Sequence, residues 1–266
     1  MKIFLYDGSK TQSLNIREIA RYLKENSGGA KVEVRGDFIG QVTKGMEDSS
    51  LRELAEEIAR CKIRDLRSYH STFDPLTAEV EYEKRRLQNS ENKSFGILYD
   101  GFKLQTLYQD LITEEERSWH CLAIIFTDQL FGTWDEHNRC YHARVSVYGF
   151  PTIISTTGIV EAPAKPREFY LQKQWGVDTI TLKKRFKDKF IDYDDTRLTE
   201  VMKGYCIQAL FFYISGEPFC EDNKCRLYNA HWQEEVINAQ LAKPEFCKKH
   251  EMLIDDIRNG RLKINH

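Results

Sequence analysis

The chain has 266 residues, 41% hydrophobic and 12% aromatic, and its 39 basic and 41 acidic side chains leave a formal net charge of −2. That balance removes the electrostatic footprint of a nucleic-acid or membrane-surface protein, and no apolar run approaches the ~20 residues of a membrane span. Seven cysteines, an odd number spread along the chain, fit a reducing cytoplasm and not a disulfide scaffold.

Residues 2–6 read as a first strand closed by the turn pair Asp7-Gly8, too short and too soon interrupted for a secretion signal. Ser13 is a candidate cap for a helix burying Ile16, Ile19, Ala20 and Leu23. Asn26 to Gly29 stop it, and residues 31–35 alternate like a strand. This β-α-β opening predicts a mixed sheet. Ser49 or Ser50 caps a helix carrying Leu51, Leu54, Ile58 and Cys61 inward, and residues 78–87 are helical. Residues 89–94 read as a loop. Two apolar bursts over 95–107, split by Asp100-Gly101, predict a hairpin. Residues 119–126 are a buried strand, 129–142 a polar loop, and 145–155 a strand with Phe150-Pro151 at an edge or bulge. The Pro-containing stretch 162–166 is a linker, and 183–189 is basic and exposed. Residues 196–215 form a helix apolar on nearly every face, hence buried, and Gly216 ends it. Two closing helices follow over 232–241 and 245–259. The fold class is therefore α/β (α+β). One continuous domain over 1–266 is expected, with a mixed α/β part over 1–195 and a helical part over 196–266.

The most specific pattern follows the apolar helix: Cys220-x4-Cys225-x21-Cys247-x2-His250. Three thiolates and an imidazole in two close pairs are the donor set of a tetrahedral zinc ion. With all four positions filled, one structural zinc ion is expected. The competing reading is three small core thiols and an unrelated histidine, and C-x4-C lies at the edge of the usual spacing.

Other clusters are weaker. His120, Cys121, Asp128, Asp135, Glu136, His137, Cys140 and His142 lie close in sequence. His137-x2-Cys140-x-His142 offers metal ligands or a Cys/His pair for nucleophilic attack, against the plain reading of a polar loop. His231 with Glu234 and Glu235 offers a second metal site, against an acidic first helical turn. There is no phosphate-binding glycine motif and no nucleophile elbow.

Residues 209–220, Ala-Leu-Phe-Phe-Tyr-Ile-Ser-Gly-Glu-Pro-Phe-Cys, occupy the frame of a longer motif. With Cys225, Cys247 and the pair Glu235-Val236, the chain resembles the archaemetzincins, archaeal-type zinc metallopeptidases of the metzincin group. Their pattern is H-E-x-x-H-x-x-G-x-x-H-C-x4-C-x-M followed later by F-C-x2-C. Gly216 matches the family glycine, Cys220, Cys225 and Cys247 match structural-zinc cysteines, and His250 stands at the fourth. Leu227 stands at the Met-turn methionine. Residues 124–128 and 145–155 resemble the strand and edge strand that precede the family's active-site helix, so the likeness spans roughly 119–258. It implies a zincin-like mixed sheet with helices, and a C-terminal helical part clasped by a structural zinc.

The departures are in the catalytic positions. The family's zinc histidines fall on Ala209, Tyr213 and Phe219, and its catalytic glutamate on Leu210. Metal-assisted hydrolysis needs an open metal and a general base, which these side chains do not supply. The expectation is a metallopeptidase-like scaffold that keeps a structural zinc, lacks a catalytic one, and binds a peptide, protein or small ligand. The alternative is a zinc-dependent hydrolase with a relocated site.

Overall fold

The computed structural model describes residues 1–69, 73–89, 92–94 and 96–261. In chain order the elements begin with β1 (Lys2–Gly8), α1 (Ile16–Asn26), β2 (Lys31–Arg35), α2 (Phe38–Val42), α3 (Asp48–Arg60) and α4 (Thr77–Gln88). There follow β3 (Leu98–Asp100), α5 (Gly101–Leu111), β4 (Cys121–Thr127), β5 (Leu130–Asp135), β6 (Cys140–Arg144), β7 (Ser146–Val147) and β8 (Thr152–Ser155). The helices α6 (Gly158–Glu161), α7 (Arg167–Gln174) and α8 (Thr179–Arg185), a short 3-10 turn at Lys187–Lys189, then α9 (Leu198–Ser215), α10 (Gln233–Leu241) and α11 (Lys248–Arg258) complete the chain. This is a mixed α/β architecture. None of the described helices is long and apolar enough to cross a membrane. The chain divides into two compact units, residues 1–10 with 33–158 and residues 11–32 with 159–266.

The first unit is built on a five-stranded sheet in the order β2-β1-β4-β8-β7. β4 runs parallel to β1, from Lys2 opposite Cys121 to Gly8 opposite Thr127. β8 runs parallel to β4, and β7 closes the edge antiparallel to β8. Every residue of β4 is buried, as expected of a central parallel strand covered on both faces. Its alternate residues Cys121, Ala123 and Ile125 join Phe4, Tyr6, Leu54, Ile58, Leu104 and Tyr108 in one apolar core. Two carboxylates are sealed into this unit with partners. Glu83 meets Lys62 Nζ at 2.7 Å and Arg86 Nη1 at 2.6 Å and accepts from the Tyr99 hydroxyl at 2.8 Å. Glu116 pairs with Arg35 and the Tyr6 hydroxyl.

Three expected segments differ. Residues 145–155 are not one strand but two, β7 and β8, paired antiparallel. The Asp-Gly pair at 100–101 does not turn a hairpin over 95–107. Asp100 instead caps α5, its carboxylate accepting from the backbone N–H of Phe102 at 3.0 Å and Lys103 at 3.2 Å, as an N-cap aspartate does. Phe95, the start of that expected hairpin, lies outside the described residues, as do residues 90 and 91 of the expected loop. Residues 129–142 form a hairpin, β5 antiparallel to β6 from Phe131 opposite Arg144 to Asp135 opposite Cys140. Burial runs through Phe131, Gly132 and Thr133 without alternating, and the polar turn residues beside them conceal the strand. Gly132 belongs in this strand because a Cβ there would lie 2.7 Å from the His142 carbonyl oxygen.

The second unit is helical. α1 and α10 each pack on α9, and α11 packs on α1. Asn15, not Ser13, caps α1, accepting from the Glu18 N–H at 3.1 Å. Ser13 serves nearby: its carbonyl accepts from the Thr199 hydroxyl, whose oxygen accepts from the Asn15 N–H. Likewise Glu47, not Ser49 or Ser50, stands at the cap of α3. α9 is buried through its first turns apart from Glu200 and Lys203 and ends at Gly216, whose φ of 76° is the left-handed C-cap conformation. The basic stretch 183–189 is amphipathic: Leu182, Phe186 and Phe190 pack on Phe169 while Lys184, Arg185, Lys187 and Lys189 are exposed.

Arg226 is fully buried in this unit. Its guanidinium pairs with Glu200 of α9, lies 3.3 Å from Glu245, donates to the Gln240 carbonyl at 2.9 Å and sits 5.2 Å over the Tyr22 ring of α1. Its carbonyl accepts from the side-chain amides of Gln208 and Gln240. Gln240 reaches this position across Gly204, where a Cβ would lie 1.5 Å from its Oε1.

Two outcomes follow from this packing. Gly204→Ala must displace Gln240 and lower stability to denaturant by about 1–3 kcal/mol, the usual cost of overpacking a core. Burial opposes ionisation of Glu200 and Glu245, but hydrogen bonds and charge from Lys203, Arg226, Tyr22 and Lys243 outweigh it and hold both carboxyls below their ordinary range. Carboxyls depressed on folding contribute stability that is complete above the unfolded value of ~4.3 and lost as pH falls through the folded values. Denaturant midpoints measured from pH 6 to pH 3 should therefore fall in acid, and fall less steeply in a Glu200→Gln variant.

Candidate metal centre

The loop after α9 brings its two cysteines back toward each other through backbone bonds. The Cys220 N–H donates to the Leu227 carbonyl at 2.9 Å, and the Cys225 N–H to Asp222 at 3.0 Å. The Arg226 N–H donates to the Glu245 carbonyl at 2.8 Å, which ties this loop to the segment carrying the other pair. Cys247 stands at the N-cap of α11 and His250 lies in its first turn. A helical turn thus presents both side chains to one point. The His250 ring packs edge-on against Phe211 of α9, centroids 5.6 Å apart at 86°.

The four ligand atoms converge to within 4.8 Å of one another. Cys220 Sγ lies 3.8 Å from Cys247 Sγ, Cys225 Sγ 3.6 Å from His250 Nδ1, and Cys247 Sγ 3.2 Å from the same nitrogen. With Zn–S near 2.3 Å and Zn–N near 2.05 Å, tetrahedral edges come to about 3.8 Å between sulfurs and about 3.6 Å from sulfur to nitrogen. The separations therefore fit a zinc ion held by Cys220, Cys225, Cys247 and the Nδ1 of His250. Among the described residues, no second set of three or more such ligands draws its atoms so close.

The electrostatics also fit. Burial raises the Cys220 thiol and pushes the Cys225 thiol up to about 12. Burial, then the charge of Lys249, keep the His250 imidazole below its ordinary value. A neutral imidazole is ready to ligate. The buried thiols, costly to ionise alone, become stable thiolates beside a dication. One backbone donor is already aimed at a sulfur: the Asp222 N–H lies 3.4 Å from Cys220 Sγ.

The remaining candidate residues lie elsewhere. His142 Nε2 is 3.3 Å from Cys140 Sγ and 3.6 Å from Asp135 Oδ2, while His137 is exposed in the turn between β5 and β6. Glu235 accepts from the backbone N–H groups of His231 at 2.8 Å and Trp232 at 3.0 Å. It is occupied as a helix cap, and the His231 side chain is exposed. Arg226, which braces the metal loop from inside, carries no signal in the sequence: a lone arginine between Cys225 and Leu227 reads as a surface residue.

A crystal structure of a zinc-dependent peptidase from Methanocorpusculum labreanum (strain Z) aligns with the chain at 11% identity and a TM-score of 0.40, covering 96% of this chain and 100% of that one. No curated protein matches the chain. The model of the "Probable metallopeptidase family (DUF6775)" matches residues 1–257, and the chain belongs to that family.

Proposed function

We propose that the protein is a zinc-binding, metallopeptidase-like scaffold whose single zinc ion is structural and whose catalytic zinc site has been lost. On this reading it binds a peptide, protein or small ligand without cutting it. The observation that carries it is the closed donor set: Cys220, Cys225, Cys247 and His250 fill every tetrahedral position, so no place is left for an activated water. The positions that align with the archaemetzincin catalytic residues support the same conclusion. Ala209 and Leu210 are fully buried apolar residues of α9, and neither ligates a metal or accepts a proton. Tyr213 and Phe219 stand at the other two family histidines.

A second reading, a hydrolase with a relocated site, draws on the approach of Cys140, His142 and Asp135. An imidazole 3.3 Å from a thiol is the contact by which a cysteine nucleophile is activated. Both the sulfur and the carboxylate address the same ring nitrogen, so the carboxylate does not orient the imidazole from its far side as in a catalytic triad. The scaffold reading is preferred for that reason.

Elemental analysis of purified protein should give about one zinc per chain. Cys225→Ser or a strong chelator should unfold the second unit, since structural zinc affinity is itself folding free energy. The fall in thermal midpoint should be reversed by zinc for the chelated wild type and not for the variant. Because burial keeps the Cys220 and Cys225 thiols protonated at neutral pH, zinc uptake releases protons. Competition against a chelator should therefore show weaker binding at pH 6 than at pH 8. Digestion of a broad peptide library should yield no cleavage with or without chelator. Cleavage abolished by Cys140→Ala would establish the second reading instead.

A further inference from the structure

We propose that the helical hairpin of α7 and α8, in the second unit, docks on an anionic lipid bilayer with its turn seated at the headgroup boundary. The near-zero net charge of the chain conceals a local excess: residues 165–189 carry eight lysines and arginines against three acids. The same segment holds Trp175 and Ile180, 77% and 70% exposed, two of the three most exposed large hydrophobic side chains among the described residues. Large apolar side chains set out in water beside cations mark an interaction surface.

The hairpin separates these two features along its length. Phe169, near the start of α7, meets Phe186, at the C-cap of α8, with ring centroids 5.9 Å apart. The Arg185 guanidinium of α8 donates to Gln172 Oε1 of α7. The helices therefore fold back on each other, and Trp175 at the end of α7 shares the turn end with Ile180 in the first turn of α8. Arg167, Leu171 and Trp175 recur every fourth residue, and the Trp175 N–H donates to the Leu171 carbonyl at 3.1 Å, so they lie along one side of the helix. All three are exposed, while Phe169 is buried. On α8, Ile180 and Lys184 are exposed one turn apart, while Leu182 and Phe186 are buried. Lys184 thus stands about 6 Å behind Ile180 along the helix axis.

An apolar tip with cations one turn behind it matches a bilayer surface. Interfacial elements bury apolar groups about 5–10 Å into the headgroup boundary and leave lysine and arginine among the anionic headgroups, and tryptophan is enriched at that depth. The cations are available. Lys183 pairs with Asp192 at 2.7 Å and Lys189 with Glu234 at 3.7 Å, but Arg167, Lys173, Lys184 and Lys187 make no ion pair among the described residues. The acid at the tip, Asp178, caps α8, accepting from the Thr181 N–H at 2.9 Å and the Thr181 hydroxyl at 2.6 Å. Glu168 and Asp188 lie toward the opposite end of the hairpin. A nucleic acid would satisfy the cations and leave Leu171 and Ile180 in water. A bilayer takes both, and it accepts projecting side chains without a pocket shaped for them.

The probe is a vesicle of two parts phosphatidylcholine to one part phosphatidylserine, with phosphatidylcholine alone as control. The full chain should sediment with the anionic vesicles and not with the neutral ones, release as salt is raised, and shift its tryptophan emission to the blue. A basic residue at an anionic surface is worth about fivefold in partitioning, so the double variant Lys184→Gln, Lys187→Gln should bind at least tenfold more weakly. Trp175→Ala with Ile180→Ser should lose the emission shift. All four positions are exposed, and thermal midpoints equal to that of the wild type confirm that both variants fold. No sedimentation with anionic vesicles, or binding and emission unchanged in both variants, would overturn the assignment. So would equally tight binding to soluble heparin or polyglutamate with no emission shift, which would make this surface a site for an acidic macromolecule instead.

Discussion

A guanidinium sealed away from water sets the terms for the helical unit. Arg226 has no solvent to compensate its charge, so α1, α9 and the segment before α11 must each deliver a partner to it, Tyr22, Glu200 and Glu245 respectively. An ion taken out of water costs several kcal/mol unless its pairs and hydrogen bonds are complete, and removing one partner of such a group is far more damaging than never having built it. The relative placement of these helices is therefore constrained by charge as well as by apolar packing. Gly204 belongs to the same arrangement, because it is the gap through which Gln240 reaches the Arg226 carbonyl.

The metal centre is the neighbour of this arginine in sequence and depends on it physically. Cys225 precedes Arg226, and the Arg226 N–H holds the Glu245 carbonyl two residues before Cys247. One short bridge therefore aligns both halves of the donor set before any ion arrives. A zinc ion bound there would stabilise as thiolates the thiols that burial disfavours as anions. The first unit solves the same problem without metal: Glu83 and Glu116 are each fully buried and each supplied with a cation and a tyrosine hydroxyl. The two halves of the chain share a habit of placing compensated charge in their interiors.

What the sequence discloses follows the range of the interactions concerned. The α/β class, the buried strand at 121–127, the apolar helix ending at Gly216 and the four-residue donor pattern are legible because each rests on local periodicity or fixed spacing. The hairpin at 130–144 was hidden by its own turn: Asp135 to Arg139 are polar enough to make the flanking strands look like loop. Asp100-Gly101 misleads for another reason. The same dipeptide turns a hairpin or caps a helix, and only the Phe102 and Lys103 amides decide which. The roles of Arg226 and Arg86 were not legible at all, since each depends on partners brought in by tertiary packing.

The way the chain is shared between the two units has a further consequence. The helical unit is assembled from residues 11–32 and 159–266, with residues 33–158 of the strand-bearing unit threaded between them. α1 leaves the ribosome early, yet its partners α9 and α11 lie more than a hundred residues downstream. At ordinary synthesis rates of ~5–20 residues per second, its apolar face waits for many seconds with nothing to cover it. The strand-bearing unit has all its residues by position 158 and can close first, holding that helix on a leash. If the donor set holds zinc as proposed, the ion can enter only last, once His250 has emerged. A shortage of the ion during translation would thus strand a nascent chain half sheltered and half open, a substrate for chaperones or proteases, before any finished molecule existed to lose its metal.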